Sequence, residues 1–201
     1  MQLFYSTNSP YARKCRVFVL EKGLQGSVEF INRFPLDNPI PADLLAANPL
    51  GRVPVLVTDE GMSLTESSVI CDYLDSLAKP YLIPKEGMPR YMVLGIAALA
   101  DGIMDAAVQC VLENRKPEGT RSEDWINRKV DSIKRTLNLL SQHPPEDDEP
   151  LSMATISLAV ALSYISFRQP QLGWEQTYAA LAAWHKMFSA RPSMKQTQPV
   201  S

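Results

Sequence analysis

Residues 53–77 read VPVLVTDEGMSLTESSVICDYLDSL. Val53–Val57 is a short β-branched run, Asp59-Glu60-Gly61 a turn, and Met62–Leu64 a second short run. That pattern predicts two strands joined by a tight connection. Thr65-Glu66-Ser67-Ser68 then leads into Val69, Ile70, Tyr73, Leu74 and Leu77, which recur at helical spacing. Toward the N-terminus, Leu3-Phe4-Tyr5 reads as a strand, and Ser9-Pro10 opens a helix with Ser as N-cap and Pro at the first helical position. Ala12, Cys15, Phe18 and Val19 share one face of that helix, and Gly23 stops it. Val28–Ile31 reads as another strand, followed by a possible short helix near 42–47. The order β-α-β, short helix, β-β-α predicts an α/β unit, a sheet covered by helices.

Toward the C-terminus the strand signals stop. Lys79–Pro89 (KPYLIPKEGMP) carries three prolines and a glycine and reads as a linker. Helices are expected from Arg90 to about Arg115, Ser122 to Ser141, Ser152 to Phe167 and about Thr177 to Ser189, with a frayed tail from Ser193. This divides the chain into an α/β domain over 1–78, a linker over 79–89 and an all-helical domain over 90–201. Leu151–Phe167 is apolar but short for a membrane span, so it reads as a buried core helix. Trp174, Tyr164 and Phe167 are expected in the same core. The N-terminal stretch lacks a basic region followed by an apolar one, so no signal peptide is expected and the location is taken as cytoplasmic.

Composition narrows the function. Twenty Lys and Arg against 22 Asp and Glu give a net charge of −2 over 201 residues. No basic footprint for nucleic acid is present. The three cysteines, Cys15, Cys71 and Cys110, form no CxxC and no zinc spacing, and read as free thiols in a reducing compartment. His143 and His185 pair with no ligand at metal spacing, so no metal is expected.

Three motifs can carry chemistry. Ser9, at a strand-to-helix turn, is either a plain N-cap or a hydroxyl that stabilises a bound thiolate beside the helix N-terminus. Tyr5, four residues upstream, is a second candidate donor or a packed strand aromatic. Val53-Pro54 opens a strand-like run, where a proline fits either a strand start or a cis peptide exposing the Val53 backbone. Glu66-Ser67 lies at a second strand-to-helix turn. It is either a capping pair or a seat for an amino-acid head group, with the carboxylate on the helix N-terminus and the ammonium on Glu66. Taken together, the three would hold a small thiol peptide.

On SPYARK at 9–14, NPLGRVPVL at 48–56, LTESSVICDYL at 64–74 and ALADGIMDA at 98–106, the chain resembles bacterial glutathione S-transferases and their GST-like relatives over nearly its whole length. The resemblance implies a thioredoxin-like N-terminal domain and an all-α C-terminal domain. It implies a detoxifying glutathione transferase, with glutathione as co-substrate, attacking a small electrophile or a peroxide, and a homodimer. It places backbone hydrogen bonds to the cysteinyl unit at Val53, a cis Pro54, and the γ-glutamyl head on Glu66 and Ser67. Ser9 falls at the catalytic position and Asp37 in a loop that contacts glutathione. Asp101 would approach the γ-glutamyl group across a dimer.

The departures matter as well. SPYA stands where glutaredoxins have CPYC, so the protein has no thiol of its own at that turn. Ser152-Met153-Ala154-Thr155 replaces the family's Ser-x-x-Asp and predicts a weakened capping box. The alternative reading is a non-catalytic binding protein on the same fold.

Overall fold

The computed structural model describes residues 1–146, 148 and 150–200. They form two compact units, one of residues 1–90 and 191–200, the other of residues 91–190.

The first unit is built on strands β1 (Gln2–Tyr5), β2 (Glu29–Asn32), β3 (Val55–Val57) and β4 (Ser63–Thr65), in sheet order β2-β1-β3-β4. β1 and β2 are parallel, which requires a crossover; α1 (Pro10–Glu21) supplies it. The β1–β3 and β3–β4 pairs are antiparallel. α2 (Ala42–Ala47) packs Leu44 and Ala47 with Phe4, Val53 and Val55, while α3 (Ser67–Ser76) runs beside α1. Leu3, Phe18, Leu56, Ile70 and Leu74 are fully buried, each worth roughly 1.5–3 kcal/mol relative to exposure. The strand expected over 53–57 pairs only from Val55, because Pro54 has no N–H to give a ladder.

The distal ends of α1 and α3 are joined by a buried ion pair. Lys22 Nζ donates to Asp75 Oδ1 at 2.9 Å and is ringed by the carbonyls of Asp75, Ala78 and Pro80. The Asp75 carboxylate also accepts the Leu82 and Ile83 N–H groups at 2.8 and 3.0 Å. Both side chains are at most 5% exposed. The proline-rich stretch after residue 78 is therefore pinned to the α/β unit, with Leu82 and Ile83 buried.

The segment expected to fray is helical instead. α9 (Pro192–Gln196) packs on α1. Arg13, buried in α1, donates to the Met194 carbonyl and to Thr197 Oγ1. Arg191 forks onto Glu21 at 2.7 and 2.8 Å, and Ser193 donates to the same carboxylate. The buried Arg13 supplies the order that the tail's composition does not advertise.

The second unit holds most of α4 (Gly87–Asn114), with α5 (Glu123–Leu140), α6 (Met153–Arg168), α7 (Trp174–Thr177) and α8 (Ala179–Ser189). α4 starts three residues before the expected Arg90, since Pro89 is tolerated in a first turn. By length and composition it could cross a membrane; within the fold it buries Ala97, Ala100, Ile103, Met104, Ala107 and Cys110. The helix expected from Thr177 breaks at Tyr178, whose hydroxyl donates to the Lys134 carbonyl. α6 is buried along most of its length, as its apolar sequence predicts.

The capping box expected to be weak is complete. Ser152 N–H donates to Thr155 Oγ1 at 2.9 Å and Thr155 N–H to Ser152 Oγ at 3.3 Å. A hydroxyl serves here because it also donates, to the Ser152 carbonyl at 3.0 Å, which a carboxylate could not do.

Two outcomes follow from these contacts. Lys22→Met leaves Asp75 buried without its cation and lowers unfolding free energy by about 3–5 kcal/mol in urea titrations. Asp75→Leu, which also strands two N–H groups, costs more. For Glu21, burial pushes the carboxyl up, but the hydrogen bonds from Arg191 and Ser193 and the Arg191 charge together hold it below its ordinary value. Its contribution is present above the unfolded-state value of about 4.3 and is lost as pH falls through the depressed folded value. The stability gap between wild type and Glu21→Gln should therefore be full at pH 7 and close below pH 4.

Candidate functional site

The register brings the sequence-predicted motifs to one end of the sheet. Phe4 pairs with Val55 and Val55 with Thr65. The C-terminal end of β1, the approach to β3 and the C-terminal end of β4 thus lie side by side. Ser9 follows β1 by four residues, Val53 precedes β3 by two, and Glu66 follows β4 directly. The loop after β2, which carries Asp37, leaves from the same end, because Tyr5 pairs in parallel with Asn32.

Ser9 caps α1. Its backbone is extended and its Oγ accepts the Ala12 N–H at 3.3 Å. The hydroxyl proton is left for donation outward, in the field of the helix N-terminus. The first turns of α1 and α3 contain no acidic side chain to offset that field. Asn8, next to Ser9, holds a buried Oδ1 with no hydrogen-bond partner among the described residues.

The Val53–Pro54 peptide is cis and Val53 lies ahead of the ladder. Glu66 has φ 67° and ψ 124°, the one non-glycine residue with positive φ among those described. Its side chain does not cap α3. The early N–H groups of α3 therefore have no side-chain cap to satisfy them, while the Glu66 carboxylate stands exposed beside them. Acceptor, donors and hydroxyl in this arrangement suit a zwitterionic amino-acid head with a thiol further along. The Cys15 thiol, halfway along α1, meets the carbonyl of Ser67, the first residue of α3, at 3.7 Å.

The remaining candidates lie elsewhere. The Tyr5 ring is covered by the Arg16 guanidinium at 4.3 Å and meets Phe30 edge-on at 6.1 Å, a packed strand aromatic. Asp37 sits in an exposed turn closed by its N–H to the Phe34 carbonyl. Asp101 belongs to α4 in the second unit. Cys15, Cys71 and Cys110 are buried and form no disulfide, and burial pushes the Cys110 thiol up. Sequence reasoning passed over Arg52, exposed beside Val53 and in no ion pair among the described residues. Its only signal was a cation next to the backbone thought to hold a peptide.

Residues 8–77 match the family described as Glutathione S-transferase, N-terminal domain, and residues 123–186 match Glutathione S-transferase, C-terminal domain. The chain is 35% identical to the uncharacterized GST-like protein YibF of Escherichia coli K12, over 99% of this chain and 98% of that one. A glutathione transferase family member from Pseudomonas fluorescens Pf-5, solved with bound glutathione, is 41% identical with a TM-score of 0.93, covering 100% of this chain and 99% of the other. A structure from the same organism with bound S-(propanoic acid)-glutathione gives 39% and 0.89, with both chains covered completely.

The Glu66 backbone makes its own prediction. Sparsely populated dihedrals cost about 1–3 kcal/mol, and glycine relieves that cost. Glu66→Gly should raise the thermal midpoint relative to Glu66→Ala, which keeps the strain while removing the same carboxylate.

Proposed function

Because the chain belongs to the glutathione S-transferase family, we propose that it is a glutathione transferase that binds glutathione at the Ser9, Val53-Pro54, Glu66-Ser67 end of the sheet. The observation that carries the reading is the Phe4–Val55–Thr65 register, which gathers three separate motifs at one edge. The γ-glutamyl carboxylate takes the α3 N-terminus at Ser67 and its ammonium takes Glu66. The cysteinyl backbone pairs with Val53 as an added strand. Asp37 flanks the ligand, Asp101 reaches the γ-glutamyl group from a second copy, and Arg52 faces the glycine carboxylate.

The chemistry follows from these positions. The Ser9 hydroxyl donates to the glutathione sulfur and stabilises the thiolate once its proton has left for water. The sulfur then bonds to the electrophilic carbon, and the leaving group departs with its electron pair. The protein supplies orientation and a preset field rather than a nucleophile of its own. With a peroxide as acceptor the same thiolate attacks oxygen and the O–O bond breaks; a second glutathione thiol then attacks the sulfenic sulfur, forming glutathione disulfide and releasing the hydroxyl as water. Three buried cysteines without a disulfide fit a reducing cytoplasm. Exposed Met88, Tyr91 and Met92 on α4 fit a homodimer face.

Steady-state assays with glutathione and 1-chloro-2,4-dinitrobenzene, beside calorimetric titration of glutathione, test the reading. Ser9→Ala should lower kcat/KM about 100-fold while leaving glutathione affinity within a few-fold, and Ser9→Thr should recover much of the loss. Ser67→Ala and Glu66→Ala should instead weaken glutathione binding. Glutathione heat without turnover would favour a binding protein on this fold.

A further inference from the structure

α1 carries its charges against the usual preference of a helix. Arg13, Lys14 and Arg16 fall within its first two turns, no acid appears before Glu21, and the last turn holds no base. Cations are favoured at a helix C-terminus and disfavoured at the N-terminus, where the free N–H groups already carry positive charge. Arg13 is 6% exposed. Its Nη2 donates to the Met194 carbonyl at 3.2 Å and its Nε to Thr197 Oγ1 at 3.4 Å, both on the C-terminal segment. Met194 and Thr197 are buried with it, and the Thr197 hydroxyl is fixed by donating to the Ser193 carbonyl at 2.8 Å. Arg16 lies 4.3 Å over the Tyr5 ring, with a buried Nε that has no hydrogen-bond partner.

Among the described residues no carboxylate is paired with either guanidinium. Both acceptors of Arg13 are neutral. Burial and the repulsive charge of Arg16 pull Arg13 down to about 10, which leaves it charged at neutral pH. The elements packed on α1 are β1, α3 and α9. β1 and α9 contain no acid. Asp72 and Asp75 of α3 pair with Arg90 and Lys22, and Glu21 pairs with Arg191. Glu66, ahead of α3, is exposed, where water screens it. The positive excess sits directly behind Ser9. The Arg13 N–H donates to the Ser9 carbonyl at 3.0 Å, closing the first turn of α1 on the residue that caps it. Helical side chains lean toward the N-terminus, which tips the guanidinium to that same end.

We propose that Arg13, seated on α9, is a positioning residue whose buried charge stabilises the glutathione thiolate beside Ser9, so that residues 192–197 belong to the device that activates the sulfur. An anion arriving at Ser9 supplies the negative charge that the start of α1 lacks. The Met194 carbonyl and the Thr197 hydroxyl keep the guanidinium out of water, where its field would be screened. Neutral acceptors suit this task. A carboxylate in their place would hold the arginine as firmly and cancel its charge. That the thiol is glutathione's rests on the reading above; the effect on any thiol held at Ser9 does not.

The test places a reporter thiol at the same helix start. In the full chain with Ser9→Cys, the pKa of the introduced thiol is read from the pH dependence of iodoacetamide labelling, with mass spectrometry separating it from Cys15, Cys71 and Cys110. Adding Arg13→Gln, which keeps a hydrogen-bond donor but no charge, should raise that pKa by about one unit, a tenfold loss of thiolate on the acid side. Arg13→Met should do the same, and Arg13→Lys should restore most of the thiolate. Glu21→Gln loosens α9 at the far end of α1; it should lower the thermal midpoint and leave the thiol unmoved. With Ser9 in place, the ultraviolet absorbance of bound glutathione thiolate should shift with Arg13→Gln in the same direction. Binding of S-methylglutathione, which has no thiol to ionise, should stay unchanged. An introduced thiol that titrates alike with Arg13 and with Gln, or that Lys shifts as far as Gln does, overturns the proposal. An introduced thiol that responds as stated, in a protein that gives no heat with glutathione, upholds the role of Arg13 and removes the glutathione reading instead.

Discussion

The buried Lys22–Asp75 pair is the contact on which the α/β unit depends. It fastens the C-terminal ends of α1 and α3 to each other and to the stretch that leaves the sheet. Further along, the middle of α1 meets the start of α3 through Cys15 and the Ser67 carbonyl. Two helices pinned in this way run side by side and bring their N-termini, with Ser9 and Ser67, to the same end of the sheet. The expense of burying an ammonium and a carboxylate is met by completeness: the cation is ringed by acceptors and both carboxylate oxygens are used. Removing either partner leaves the other charged and dry, so the pair acts as a unit.

Much of this was legible in the sequence because it is local. Ser9-Pro10 and Gly23 bracket α1, and the Val69–Leu77 spacing marks α3. The short strands read from β-branched runs, and the site motifs fall at their ends. What escaped depends on residues far apart in the chain. Nothing near Lys22 announces an acid 53 positions away, and nothing near Arg13 announces a carbonyl at Met194. Tyr5 could be read as a donor until its ring was seen under Arg16. The Ser152–Thr155 box escaped for a different reason. Its requirement was stated for a long acceptor, whereas the hydroxyl accepts and donates at once.

The site trades stability for readiness. Glu66 holds a dihedral that a larger residue avoids, and α3 goes without a side-chain cap. Each is a defect by the rules of helix design and an asset to a ligand bringing its own carboxylate and ammonium. α1 follows the opposite plan, with its cap in place, because the Ser9 hydroxyl can accept one bond and still donate another. On the proposed reading, the open start of α3 serves binding, and the capped start of α1 leaves its hydroxyl for the chemistry.

The return of residues 191–200 to the α/β unit bears on how such chains can be recombined. The helical unit is an insertion, entered after residue 90 and left before residue 191, and not a cassette at the end of the chain. A gene cut at the first junction would encode a sheet whose Arg13 and Glu21 have lost Met194, Thr197, Arg191 and Ser193. Exchange of helical units between relatives should succeed only when both crossover points are respected. Recombination at a single point would pair each α1 with a foreign C-terminal helix, and the match between Arg13, Glu21 and that helix would decide which chimaeras fold.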